Sequence, residues 1–373
     1  MGHLVCQTCG ATYDLDEPRW RCDCGGILDV DLVPAFDPAT IGRRPPTLWR
    51  YREALPICDD ANRVSFSEGF TPIVEMEIEG RTVLVKQEHL FPSGSFKDRG
   101  ATVLVSKIRE LGIRAVVEDS SGNAGCAVAA YCAKAGIECE IFVPADTAEA
   151  KLVQIRAYGA KLQRIAGSRE DTARAALAAA EKQYYASHAW NPFFLQGTKT
   201  FAYEIWEQLG WKVPDTVIVP LGHGTLFLGA YIGFVDLVKA GVAQRVPRLV
   251  GVQAAASAPL LEAFARNADD VSPVTKRATL AEGIAIAEPV RGRQILRAVR
   301  ETGGLILAVD DWEIEQALKA ACRQGFYIEP TSAAAIAGIH RYVQKAQPGE
   351  VIVSAFTGHG LKATEKLLHL SAQ

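Results

Sequence analysis

The sequence carries no surplus of positive charge: 40 lysines and arginines stand against 43 aspartates and glutamates, a formal net charge of −3. With a pI near 6.2 it lacks the basic field that grips nucleic acid or an anionic membrane, so neither is an expected partner and a small molecule is. No stretch approaches the ~18 consecutive apolar residues that cross a bilayer. The first residues hold cysteines and polar groups where a secretory signal has an apolar centre, which makes the cytoplasm the expected location. Low-complexity tracts and a short repeat are also missing. So are a G-x-G-x-x-G after an early strand and a P-loop lysine, which ranks a nucleotide-binding reading last.

The chain is 373 residues long, 49% apolar and 22% charged, ordinary values for a globular protein. It exceeds the ~250–300 residues at which one core stops growing, so two or three domains are expected. Nine cysteines are present, four of them within the first 24 residues. Cys58, Cys126, Cys132, Cys139 and Cys322 are scattered through apolar text and read as small buried side chains.

Residues 1–33 read as a miniature unit, and 34–51, rich in proline and arginine, as a linker or arm. From about residue 64, short β-branched runs alternate with alanine-rich helical text, the pattern of βαβ units on a mostly parallel sheet. Strands are expected at 82–86, 115–118, 139–143, 161–165, 216–220, 248–252, 305–309 and 351–355. Helices are expected at 98–111, 123–135, 148–158, 169–185, 226–240, 291–301, 311–324 and 332–344. The fold class is α/β, and in open α/β sheets ligands bind where strands hand over to helices.

Three such junctions carry chemistry. In Pro92-Ser93-Gly94-Ser95-Phe96-Lys97-Asp98-Arg99-Gly100 a turn runs into a helix beginning near Lys97. A lysine in a helix's first turn opposes the macrodipole, which favours its neutral amine, the form that makes an imine; a plain surface lysine after a Gly-Ser turn is the alternative. In Asp119-Ser120-Ser121-Gly122-Asn123-Ala124-Gly125, backbone N–H groups opening a helix suit an amino acid's carboxylate, with Ser120, Ser121, Gly122, Asn123 and Ala124 as candidate substrate contacts. A simple Asn cap explains the same text equally well. In Leu221-Gly222-His223-Gly224-Thr225, two glycines allow close approach to a phosphate and the Thr225 hydroxyl adds a donor; taken alone, His223 reads as an ordinary loop residue.

Followed in order by Glu329-Pro330-Thr331-Ser332 and Thr357-Gly358-His359-Gly360, these segments resemble the threonine-synthase-like group of fold-type II pyridoxal-phosphate enzymes over residues 64–368. The resemblance implies two open, mostly parallel sheets with helices on both faces: a large cofactor-binding domain from 34–97 and 197–373, and a smaller one from 98–196. It implies that Lys97 joins the cofactor's aldehyde as an imine and then moves protons at the substrate's Cα, with Phe96 beside the ring. Asn123 would bond the ring hydroxyl oxygen, Gly222, His223, Gly224 and Thr225 would cradle the phosphate, and Thr357 would face the pyridine nitrogen. A hydroxyl there leaves the ring neutral and favours elimination or replacement over transamination. Thr71, in Glu68-Gly69-Phe70-Thr71-Pro72, lies in the segment that enters the large domain and either touches ligand or merely turns. A homodimer acting on an amino acid is implied.

The resemblance also sets expectations for specificity. Threonine synthases hold a substrate phosphate with an Arg and small hydroxyls flanking an Asn-Pro pair. Here Phe194 stands at the Arg position, Ala189 at a hydroxyl position and Ala124 at another, while His188 or Lys199 could supply a donor from elsewhere. Serine or threonine dehydration, diaminopropionate ammonia-lyase chemistry or β-replacement therefore stands beside threonine synthesis. A catalytically silent amino-acid-binding protein is the reading from another class.

Cys6 and Cys9, then Cys22 and Cys24 with Gly25-Gly26 behind them, resemble the two knuckles of a zinc ribbon, a closed thiolate site for structural zinc. The second knuckle is one residue tighter than usual, and an empty or oxidised remnant is the other reading. So small a unit buries little core, so metal would supply its folding free energy.

Overall fold

The structure, a computed structural model, describes residues 2–167 and 169–371. Contacts divide the chain into two compact units, Met1–Gly69 with Lys97–Thr200, and Phe70–Phe96 with Phe201–Gln373. The expected α/β architecture forms in both, and most of the foreseen elements lie within a few residues of their expected bounds.

In the first unit four parallel strands lie in the order Lys161–Ile165, Glu138–Pro144, Ala115–Glu118, Tyr184–Tyr185. Val116, Val117, Ile141 and Val143 are fully buried, as in a parallel sheet covered on both faces. The helix expected at 169–185 ends at Ala179 instead. Its last two residues, Tyr184 and Tyr185, pair with Val116 and Val117 as a short strand, because aromatic side chains fit a pleated, buried surface better than another helical turn.

The same unit contains an antiparallel sheet, Thr12–Asp14, His3–Cys6, Leu28–Asp31. Leu4, Trp20 and Leu28 from this segment share one buried cluster with Val116, Tyr185, Phe193 and Phe194. An unforeseen helix, Pro192–Thr198, follows Asn191, whose side chain accepts from the Phe193 N–H at 3.2 Å. Proline at the first helical position and Asn as cap are the ordinary start of a helix. Two glycines let it lie against the Lys97–Glu110 helix: a Cβ at Gly197 would stand 1.8 Å from the Arg99 carbonyl oxygen, and one at Gly100 would stand 2.2 Å from the Phe194 ring.

The second unit holds a six-stranded sheet in the order Leu305–Val309, Arg248–Ala254, Thr216–Pro220, Ile352–Ala355, Arg81–Lys86, Ile73–Ile78. The strands run parallel except the edge strand Ile73–Ile78, which the sequence reading omitted. Its partly exposed alternation of apolar and acidic residues reads weakly, whereas the central strands are uniformly buried. Of the scattered cysteines, Cys126, Cys132 and Cys139 are buried as expected; Cys58 and Cys322 are exposed.

Candidate active site

In the first unit the Lys97–Glu110 helix begins at Lys97 itself. The side chain is half-buried, with Nζ 5.7 Å from the centroid of the Phe194 ring. Loss of solvation pushes the amine down to about 8, partly opposed by the negative charge of Glu118. The chain thus makes neutral amine accessible near neutral pH, the requirement for attack on an aldehyde.

Glu118 ends the central strand and is fully buried, and burial together with neighbouring Asp119 holds its carboxyl well above the usual range. His188 Nδ1 lies 2.9 Å from Glu118 Oε1, and the imidazole meets the Phe194 ring edge-on at 6.1 Å. Lys97 and the Glu118–His188 couple therefore both adjoin Phe194. Asp119 is neutralised by Arg169 at 2.8 Å and accepts the Tyr185 hydroxyl at 2.7 Å.

Residues 119–123 turn from that strand into the Asn123–Ala135 helix. Gly122 is the N-cap and Asn123 the first helical residue, so Asn123 does not serve as the cap. The Gly122 N–H donates to Ser120 Oγ at 3.3 Å, and a Cβ at Gly125 would sit 1.9 Å from the Ser120 carbonyl oxygen. Ser120, Ser121 and Asn123 are half-buried, Gly122 is exposed and Ala124 is buried.

In the second unit, strand Thr216–Pro220 passes through Leu221–Gly224 into the long helix Thr225–Lys239. Gly224 is its N-cap at φ +76°, a conformation that favours glycine. A Cβ at Gly224 would lie 2.4 Å from Ile295, and one at Gly222 would lie 2.9 Å from the Ile284 Cα. The turn is therefore bare backbone at a helix N-terminus, where N–H groups and the macrodipole favour a phosphate. His223 is half-buried and Thr225 buried.

Thr357 is buried beside Ser332. Ser332 Oγ accepts from the Thr357 N–H at 2.8 Å and from the Gly358 N–H at 3.3 Å, and lies 3.1 Å from Thr357 Oγ1. A hydroxyl has two lone pairs and one proton. With both lone pairs of Ser332 occupied, its proton points to Thr357 Oγ1, and the Thr357 proton is left to serve another acceptor. Ser332 was legible only as a member of the Glu329–Ser332 segment, without a role.

Phe96 is tied into this unit by its N–H, which donates to the Thr357 carbonyl at 3.0 Å. The Thr71 hydroxyl donates to Glu88 Oε1 at 2.6 Å. The Thr71 carbonyl accepts from Lys86 Nζ at 2.7 Å, which also reaches Gln208 Oε1 at 2.7 Å and Glu204 Oε2 at 2.8 Å. All three donors of the Lys86 ammonium are thereby satisfied, which holds it as a cation and removes it as an imine-forming rival of Lys97.

The Sγ atoms of Cys6, Cys9, Cys22 and Cys24 all lie within 4.8 Å of one another, and none is in a disulfide. Cys6–Cys24 and Cys9–Cys22 are both 3.6 Å apart, close to the ~3.8 Å edge of a tetrahedron with Zn–S bonds of ~2.3 Å. Thr8 N–H and Tyr13 Oη approach Cys6 and Cys22 sulfurs at 3.3 and 3.0 Å. A Cβ at Gly26 would lie 2.6 Å from Thr8 Oγ1 and 2.9 Å from Cys6 Sγ, so a side chain there would crowd the cluster.

Pyridoxal phosphate asks for an amine for its aldehyde, N–H donors for its phosphate and a partner for its ring nitrogen. The chain supplies Lys97, the bare turn at Gly222–Thr225 and the directed Thr357 hydroxyl, so the donor set fits. Comparison with known proteins agrees. The chain is 37% identical to a threonine synthase of Methanocaldococcus jannaschii, across 99% of its own length and 95% of that protein's. It is 36% identical to one from Methanosarcina acetivorans, across 99% and 94%. Among solved structures, the processed form of threonine deaminase isoform 2 from Solanum lycopersicum superposes with TM-score 0.69 at 24% identity, over 81% of this chain and 83% of that one. Maize serine racemase does so with TM-score 0.67 at 21% identity, over 82% and 94%. Residues 64–358 match the model of a family described as pyridoxal-phosphate dependent enzyme, and to that family the chain belongs.

Proposed function

We propose that the protein eliminates or replaces a substituent on the side chain of an amino acid, as the threonine synthases to which it is similar do by name. The observation that carries this is the Lys97 amine, desolvated to a pKa of about 8 at the first residue of its helix. When bound, the cofactor supplies an electron sink that acidifies the substrate's Cα–H. Lys97 anchors it, then removes and returns the proton at Cα. Asn123 would donate to the ring hydroxyl oxygen, and Gly222, His223, Gly224 and Thr225 would hold the phosphate. Thr357, its proton directed outward by Ser332, would donate to the ring nitrogen. Residues 120–124 seat the substrate carboxylate. Cys6, Cys9, Cys22 and Cys24 hold a structural zinc. The working form is a homodimer, as the family resemblance implies, and its expected location is the cytoplasm.

A second reading has a specific observation behind it. Phe194, fully buried and seated over Gly100, occupies the position at which a phosphate-binding Arg is expected, and Ala189 and Ala124 offer no hydroxyl. This favours a substrate without a phosphate, handled by dehydration, ammonia loss or β-replacement. One experiment tests both: phosphate release from O-phosphohomoserine followed in parallel with 2-oxo acid formation from serine, threonine and diaminopropionate. Threonine and phosphate as products establish the first reading, a 2-oxo acid alone the dehydration or ammonia-loss form of the second, and turnover of none of them leaves β-replacement, tested by adding a thiol or amine co-substrate, or binding without catalysis.

A further inference from the structure

Trp20 lies two residues before Cys22 in the four-cysteine unit and is buried. Its ring meets Tyr185 edge-on at 5.1 Å and Trp190 edge-on at 6.0 Å. The segment around it is strapped down: the Arg21 guanidinium lies over the Trp20 ring at 4.6 Å and pairs with Glu181, and the Tyr184 hydroxyl donates to the Arg19 carbonyl at 3.2 Å. Tyr185 is equally fixed. Its carbonyl accepts from Asn191 Nδ2 at 3.0 Å, and the next residue's N–H donates to the Val117 carbonyl at 2.8 Å.

The Tyr185 hydroxyl then donates to Asp119 Oδ1 at 2.7 Å, while Arg169 holds the other carboxylate oxygen at 2.8 Å. Asp119 begins the turn of residues 119–123, and that turn has no slack, because the Ser120 carbonyl lies where a side chain at Gly125 would have to be. A rotation of Asp119 is therefore passed to Ser120 and to the N–H groups behind it. One aromatic contact, Trp20 to Tyr185, and one hydrogen bond, Tyr185 to Asp119, join the cysteine unit to this turn.

We infer that Trp20 is a positioning residue for the amino-acid substrate: through Tyr185 it fixes Asp119 and so the N–H groups of residues 120–124. The inference rests on the reading of that turn as the seat of the substrate carboxylate. It gives the cysteine unit a task in catalysis rather than in stability alone.

The test uses the full-length holoenzyme and the variants Trp20→Ala, Trp20→Phe and Tyr185→Phe. Tyr185→Phe keeps the ring and deletes only the hydroxyl, so it remains informative if Trp20→Ala does not fold. Amide hydrogen exchange across residues 119–126 is measured beside KM and kcat for whichever amino acid is turned over. Trp20→Ala and Tyr185→Phe are expected to raise exchange and KM by about fivefold with kcat and the cofactor's visible band little changed, and Trp20→Phe to restore both. Raised exchange with an unmoved KM supports the brace and sinks the reading of the turn as the substrate's seat. A lowered thermal midpoint with exchange and KM both unmoved would leave Trp20 a packing residue and overturn the inference.

Discussion

The backbone N–H of Phe96 donates to the carbonyl oxygen of Thr357 at 3.0 Å, and the next residue in the chain is Lys97. Within the second unit the Ser95–Phe96 peptide is thus pinned to the residue whose hydroxyl is aimed, by Ser332, at an outside acceptor.

The depressed basicity of Lys97 has a pH signature. In cofactor-free protein the neutral fraction of the amine rises through a midpoint of about 8, against ~10.4 for an ordinary lysine. Between those values the unfolded chain binds more protons than the folded one, so stability increases with pH there and falls as pH drops through 8. The rate at which added pyridoxal phosphate develops its visible band should climb between pH 7 and 9 and level off above. A rate still climbing tenfold per unit at pH 9.5 would contradict the assignment. Lys97→Ala should show no such band at any pH.

Lys86 provides the control. Lys86→Met should keep the visible band while losing about 3–5 kcal/mol of stability, because Glu204 is left charged and buried without its partner. Denaturant unfolding measures it. The double variant with Glu204→Gln should recover part of the loss, since the orphaned charge is gone.

Ser332→Ala and Thr357→Ala should each weaken cofactor binding by about 1–2 kcal/mol, the net worth of a directed hydrogen bond in a buried site. The double variant should cost little more than either single one, because Ser332 acts through Thr357. Equilibrium dialysis of the cofactor gives the numbers, and simple additivity would separate the two residues.

The strand-to-helix glycines and the lysine at a helix start were legible because each is a local rule: a cap, a macrodipole, a turn. The helix Asn123–Ala135 appears at its expected bounds for the same reason. What stayed hidden depends on partners far apart in sequence. The Glu118–His188 couple spans 70 residues and the Ser332–Thr357 pair 25, and neither leaves a periodic trace. Tyr184 and Tyr185 were read as helix because their strand exists only by pairing with Val116 and Val117. The Pro192–Thr198 helix has an Asn-Pro start in the sequence, but its seven residues are too few to show a helical period.

The cysteine cluster predicts about one zinc per chain in reduced protein, since four thiolates close the coordination shell. Cys24→Ser should lower the metal content and destabilise residues 2–31 first. Elemental analysis together with hydrogen exchange of that segment checks it. Metal well below one equivalent in freshly reduced protein would leave the cysteines as an empty remnant.

Gly100 decides how Phe194 sits, and so what the neighbourhood of Lys97 accepts. A methyl group at position 100 would fall 2.2 Å from the ring carbons, far inside contact distance, and Phe194 has no exposed side on which to retreat. Gly100→Ala should therefore cost about 1–3 kcal/mol of stability by overpacking, partly offset by the better helix propensity of alanine. If the ring escapes by turning, it moves toward the His188 imidazole, 6.1 Å away, or toward the Lys97 amine, 5.7 Å away. Either movement changes the wall beside the amine, so the ratio of kcat/KM between a short substrate such as serine and a longer one such as threonine should shift in Gly100→Ala, with the shorter substrate favoured. Phe194→Leu in the Gly100→Ala background removes the colliding ring edge and should return stability toward wild type. If the ratio and the unfolding midpoint both stay at wild-type values in Gly100→Ala, the helix crossing is looser than these distances require, and Phe194 does not set the size of the accepted side chain.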